Sequence, residues 1–159
     1  MKKPLVFVAA AWFVLAALPA FSQQLWNTTG STGIIDEASL NLFEFSGQTL
    51  QFKPGAVGTI VARYPIVSHT QNPGWGSFWI GYGGASGVSV ALKEVNQCGN
   101  VETTLTTYTP LGPDANICIS HMFFGLFTWN FAQNSYYLEV TLTRPTTATN
   151  PRFHRLQFP

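Results

Sequence analysis

The segment YYLEVTLTR, residues 136–144, decides the fold class of this chain. Apolar and polar side chains alternate along it without interruption, so one side of an extended chain carries only apolar residues. These apolar residues are Tyr136, Leu138, Val140 and Leu142. A period of two residues is typical of a β-strand with one buried face. We therefore predict a strand here, with its apolar side against a core.

Similar alternating runs recur along the chain, separated by Gly, Pro and Asn. They are Thr49–Lys53, Thr59–Tyr64, Ser77–Tyr82 and Val88–Val95. Arg152–Phe158 is expected to close the fold as a final strand. About nine short strands with regularly spaced turn signals predict an all-β fold, an antiparallel, jelly-roll-like β-sandwich. The glycine-rich loop 83–87 is expected to join its two flanking strands as a hairpin.

The N-terminus has the order of a signal peptide. Lys2 and Lys3 form a basic start, Leu5–Leu18 is apolar, and small residues at Ala20 and Ser22 precede a cleavage point. The apolar stretch is short for a membrane span, although an uncleaved N-terminal anchor is the alternative. We predict that residues 1–22 are removed and that the protein is secreted, to the periplasm or outside the cell, in the manner of a bacterial Sec substrate.

The rest of the chain divides into an arm and one domain. Residues 23–33 are polar and Gly-containing with a single Trp, which predicts a flexible N-terminal arm. Residues 34–159 are then a single β-sandwich domain. Without Lys2 and Lys3 the chain has six basic and seven acidic residues, a net charge near −1. That balance predicts no nucleic-acid partner and no attraction to an anionic membrane.

Two cysteines, Cys98 and Cys118, lie in this exported chain. Oxidation is the default outside the cytosol, so we predict a disulfide between them; two free thiols are the alternative. The bridge would close a loop of about 20 residues and contribute roughly 3 kcal/mol.

Catalytic patterns are few. The run Gly84–Gly87 is one residue short of a nucleophile elbow and has no helix after it. The histidines His69, His121 and His154 are scattered, without the spacing that puts two imidazoles on one strand face. We therefore predict no catalytic residues, no metal and no cofactor, and expect a protein that is not an enzyme.

One aromatic group suggests a binding surface. Period-two geometry puts Trp75, Ser77 and Trp79 on one face, where two indoles could stack on sugar rings. Burial of these rings in the core is the alternative. The leading interpretation is a non-catalytic module that recognises a polysaccharide or cell-surface ligand. The second is a structural extracellular subunit that self-associates through strand edges, and a secreted hydrolase is third.

Overall fold

The computed structural model describes residues 25–99, 101–111 and 127–159, together with the backbone of 118–122. The predicted signal peptide, residues 1–22, lies outside the described residues. Eleven strands are described: β1 Trp26–Thr29, β2 Ile34–Ile35, β3 Phe43–Ser46, β4 Thr49–Phe52, β5 Gly58–Ile66, β6 Ser77–Gly83, β7 Val88–Asn96, β8 Glu102–Tyr108, β9 Cys118–Met122, β10 Asn134–Arg144 and β11 Arg152–Phe158. Short 3-10 turns follow β1, β2 and β6.

The strands form two antiparallel sheets, and the predicted β-sandwich is confirmed. One sheet has the order β3-β4-β11-β6-β9, with β1 beside the second half of β11. The other has the order β2-β5-β10-β7-β8. Only the β3–β4 and β7–β8 connections join neighbours within a sheet among the described strands, and the others pass from one sheet to the other. The chain therefore winds around a core enclosed by the two sheets.

The core is lined by the apolar sides that the alternation predicts. In β10 the inward residues are Tyr136, Leu138, Val140 and Leu142, and all four are buried. In β6 they are Phe78, Ile80 and Tyr82, also buried. Burying an aliphatic or aromatic side chain of this size contributes about 1.5–3 kcal/mol. Hydrophobic burial on these inner faces therefore holds the two sheets together.

The expected hairpin across loop 83–87 is wrong, because β6 and β7 lie in opposite sheets. Gly84 has a φ of +65°. A Cβ on Gly84 would lie 2.7 Å from the carbonyl oxygen of Asn150 and 2.8 Å from Pro151. The loop is thus pressed against residues 150–151, and it turns the chain from one sheet to the other instead of pairing its flanking strands.

The flexible arm predicted for residues 23–33 is also corrected where the structure describes it. Trp26–Thr29 form β1 and pair with residues 155–158. The ring of Trp26 lies 5.4 Å from that of Phe158, and the Tyr64 hydroxyl donates a 2.9 Å hydrogen bond to the carbonyl of Gly30. Phe158 is more than a hundred positions from Trp26 in the sequence, and Tyr64 is 34 positions from Gly30. Local composition therefore does not reveal these contacts.

The predicted disulfide is not present. Cys98 is a free, exposed cysteine in the turn after β7, whereas Cys118 begins β9 and pairs with Gly81 in the other sheet. Gly81 lies near loop 84–87, and Cys98 lies beyond the far end of β7. At about 3.3 Å per residue the two positions are on the order of 20 Å apart along the sandwich. A disulfide allows about 7 Å between Cα atoms.

Candidate functional site

The outer face of the five-stranded sheet is occupied by paired charges. Arg63 forms ion pairs with Asp36 at 3.0 Å and with Glu139 at 3.3 Å. Lys93 does the same with Glu102 at 3.1 Å and with Glu139 at 3.8 Å. These contacts run across the strands as a ladder in which opposite charges neutralise one another. We therefore interpret these ion pairs as contacts that stabilise the sheet.

A tyrosine completes this ladder. The Tyr137 hydroxyl donates a 2.5 Å hydrogen bond to Glu102. Burial, followed by this contact with the carboxylate, raises the pKa of Tyr137 to about 12. The same hydrogen bond, together with Lys93, lowers the pKa of Glu102. Tyr137 is therefore a neutral donor at ordinary pH.

The outer face of the six-stranded sheet has a different chemistry. Its outward side chains fall in rows set by strand register, because directly opposed residues of antiparallel strands point to the same side. The rows are Trp79, Gln157 and Asn27; Gly81, Arg155 and Thr29; and Gly83, Arg152, Gln51 and Glu44. We call this surface the β11 face, after its central strand.

Trp79 is a large aromatic side chain on the β11 face. It is 41% exposed and lies opposite Gln157 of β11 on one side and Ser120 of β9 on the other. Ser77, two residues earlier on the same strand, is half-buried and points to the same side. An indole in this position can offer part of its ring to a ligand.

Two arginines lie across glycines of β6. A Cβ on Gly81 would be 3.1 Å from Cγ of Arg155, and one on Gly83 would be 3.2 Å from both Nε and Nη2 of Arg152. A larger residue at either glycine would displace the arginine above it. Along residues 79–83, Ile80 and Tyr82 therefore point into the core and the alternate residues point outward. The two outward glycines leave room for the side chains of the arginines on β11.

A bulge in β11 brings a histidine to the same face. The register with β6 shifts between Phe153 and Arg155, so His154 is the extra residue. Its Nδ1 lies 2.8 Å from the Thr49 hydroxyl, while its Nε2 is buried without a hydrogen-bond partner. Burial, and then the charges of Arg152 and Arg155, lower the pKa of His154. The Nε atom of Arg152 is likewise buried and unpartnered.

A shallow depression of about 210 Å³ lies beside Arg155. Its lining residues are Asn27, Thr28, Thr29, Gln48, Arg155, Leu156 and Gln157. Most of these side chains carry amide, hydroxyl or guanidinium groups. The depression can therefore receive a polar group through several hydrogen bonds.

Of the predicted binding residues, Trp79 and Ser77 lie on the β11 face and Trp75 does not. Trp75 is 1% exposed, stacks on Phe158 with ring centres 4.8 Å apart, and accepts a 2.8 Å hydrogen bond from Nε1 of Trp129 at its carbonyl. It precedes β6, and Gly74 beside it has a φ of +72°. Strand periodicity therefore ends before Trp75, and the predicted two-indole platform is wrong for this residue.

The sequence-based search missed the residues of β11. Arg152, His154, Arg155 and Gln157 all contribute to the β11 face, yet this strand was expected only to close the fold. The signal was present in the spacing of its apolar residues, Phe153, Leu156 and Phe158. An interval of three followed by an interval of two indicates a bulge that puts two successive polar residues on one side.

Neither a cluster of metal-ligating side chains nor a long apolar helix is found among the described residues. Within the described ranges, no three His, Cys, Asp or Glu side chains approach closely enough to hold a metal ion. The side chain of His121 lies outside those ranges. In the same part of the chain, no helix has the length and apolar character needed to cross a bilayer.

Comparisons with known proteins assign no family to the chain. No protein-family model matches it, and no curated protein does. Among solved structures it is similar to one described as TmCBM61 in complex with beta-1,4-galactotriose, at 14% identity and a TM-score of 0.37. The match covers 87% of this chain and 89% of the other. Similarity of this extent does not assign a site or a ligand here.

Proposed function

We propose that this chain is a secreted, non-catalytic β-sandwich that binds carbohydrate through its β11 face. The observation that carries the proposal is the partly exposed indole of Trp79, fixed in a strand and flanked by polar side chains. Export rests on the signal-peptide pattern of residues 1–22.

The chemistry of the β11 face suits a sugar. One side of a pyranose ring presents C–H groups, which pack on an aromatic ring, and its edges present hydroxyls. Gln157 and Asn27 continue the row of Trp79 over the next two strands. With strands about 4.8 Å apart, that row spans about 10 Å. A sugar stacked on Trp79 would have amide groups within reach of its hydroxyls.

The self-association alternative loses part of its support. Trp26–Thr29 is paired with β11, and the alternating strand β10 has a partner on each side. Strand β10 therefore has no free edge along these pairings, whereas β1 has one strand partner, β11, among the described strands. For the hydrolase alternative, both carboxylate oxygens of Glu139 are engaged in ion pairs, one with Arg63 and one with Lys93.

Binding to immobilised polysaccharides tests the proposal. The panel contains a glucan, chitin, peptidoglycan and polygalacturonate, and the protein is the exported form beginning at Gln23. Trp79→Ala should weaken binding to the retained polymer about fivefold, since a stacking contact contributes about 1 kcal/mol. Tyr137→Ala removes an aromatic from the opposite outer face and should leave binding unchanged.

Two results would contradict the proposal. One is wild-type protein that binds no polymer of the panel. The other is a folded Trp79→Ala variant that binds as tightly as the wild type. A loss in Tyr137→Ala equal to that in Trp79→Ala would move the site to the other sheet.

A further inference from the structure

We propose that the carbohydrate bound by the β11 face is anionic, and that Arg155, with His154 and Arg152 beside it, holds its carboxylate or sulfate group. This inference rests on the proposed function and specifies the class of ligand. It is carried by the composition of the β11 face, by two unpartnered polar atoms and by the position of Arg155 relative to Trp79.

The first argument is charge. Two arginines, Arg152 and Arg155, lie within four positions of β11. On the opposite outer face, carboxylates pair with Arg63 and Lys93. Among the described residues, no ion pair involves Arg152. The carboxylate in the same row as Arg152 is that of Glu44, which lies two strands away. Its Oε1 accepts a 2.7 Å hydrogen bond from Gln51. The Arg152 guanidinium therefore adds to the β11 face a positive charge that no carboxylate pairs with in the described part of the chain.

The second argument is the polar atoms without partners. Nε of Arg152 and Nε2 of His154 are both buried and make no hydrogen bond. Leaving such groups unsatisfied destabilises a fold. When the Thr49 hydroxyl donates to Nδ1, the Nε2 atom carries the proton and becomes a donor. An oxyanion is a strong acceptor for donors of this kind.

The third argument is position. Arg155 lies across Gly81, which is two residues from Trp79 on the same face of β6. Two residues along a strand are about 7 Å apart. The depression lined by Arg155 and Gln157 continues away from the indole. A sugar ring on Trp79 would thus place an acidic substituent at the guanidinium, with amide and hydroxyl groups beyond it.

Two matched pairs of soluble polymers test the inference. Dextran sulfate is compared with dextran, and polygalacturonate with fully methyl-esterified pectin, so each pair differs in its acidic groups. The first pair tests sulfate and the second tests carboxylate. Wild-type protein should bind the anionic member of at least one pair about tenfold more tightly than its neutral partner, since a charge-assisted hydrogen bond has about that effect.

Variants locate the effect. Arg155→Gln should lose about tenfold in affinity for the anionic polymer and little for a neutral one. If Arg155→Gln folds poorly, Arg152→Gln is tested in its place. Its affinity for the anionic polymer should also fall. Arg63→Gln changes the net charge equally but lies on the opposite face, and should bind like the wild type. Affinity should also fall as NaCl rises from about 50 to about 300 mM.

The outcomes separate the inference from the proposed function. Equal affinity for both members of each pair, with binding still lost in Trp79→Ala, overturns the anionic ligand and leaves carbohydrate binding intact. A loss in Arg63→Gln as large as in Arg155→Gln shows a net-charge effect and also overturns it. Absence of binding to all four polymers and to the immobilised panel defeats both.

Discussion

The sharpest stability prediction concerns two tryptophans separated by four positions. Trp75 is buried between Phe158 and Trp129, whereas Trp79 borders solvent on the β11 face. Replacing each in turn by Ala removes the same side chain from two different environments. Trp75→Ala should be strongly destabilising, and Trp79→Ala only weakly so.

The magnitude follows from burial. A buried indole removes about 200 Å² from water, which at about 25 cal/mol per Å² is worth about 5 kcal/mol. Partial collapse of the cavity brings the expected loss for Trp75→Ala to about 3–5 kcal/mol. Trp79→Ala leaves no closed cavity, so its loss should be about 1 kcal/mol or less. For a domain of this size the first value lowers the thermal midpoint by roughly 10–18 °C.

Urea unfolding followed by far-ultraviolet circular dichroism measures both losses. The slope of free energy against urea should be the same in all three proteins, so the midpoints alone report the change. Phe52→Leu, a milder substitution on the core side of the six-stranded sheet, serves as a control. It shows how much stability an ordinary core substitution removes. Equal losses in the two tryptophan variants, or a larger loss in Trp79→Ala, would refute the assignment of Trp75 to the core and of Trp79 to the surface.

Three further predictions follow from individual contacts. Gly30→Ala should cost about 2–3 kcal/mol in a urea titration, because its Cβ would lie 2.7 Å from the amide nitrogen of Leu50; an unchanged midpoint would contradict that packing. The lowered pKa of His154 means that the unfolded chain takes up a proton first as pH falls. The free energy of unfolding should therefore decrease below about pH 6.5, and His154→Gln should show a shallower decrease; equal slopes would argue against it. Cys98 should react with a maleimide in the native, unreduced protein because it is exposed and unbonded, and an absence of labelling would speak for a bridge.

Where one face of a strand is buried, the sequence predicted the fold well. In β10 and β6 the inward residues follow from alternation alone, because a shift of one position would turn every apolar side chain to solvent. The exposure of Trp79 follows from the same rule, since it lies between the buried Phe78 and Ile80. The extension of that rule back to Trp75 failed because β6 begins only at Ser77, so Trp75 lies in the segment before the strand, beside the left-handed Gly74.

Features that depend on distant partners were not predictable from local pattern. The pairing of β1 with β11 joins the two ends of the described chain, and the loop at Gly84 is set by its contact with residues 150–151. Cys98 and Cys118 are far apart because Cys98 follows β7 of the five-stranded sheet, whereas Cys118 begins β9 of the six-stranded sheet. The export pattern suggested a bridge, and the short glycine-rich loop suggested a hairpin; the sheet topology forms neither.

The central claim is that the β11 face binds a polysaccharide, and an NMR titration with short oligosaccharides of the retained polymer tests it most directly. The indole N–H signals report separately on each tryptophan. We predict that the Trp79 indole and the amides of residues 77–81 and 154–157 shift on addition of the ligand. The indoles of Trp75 and Trp129 and the amide of Arg63 should stay in place. Shifts confined to the face that carries Arg63, or a spectrum unchanged at saturating oligosaccharide, would contradict the claim.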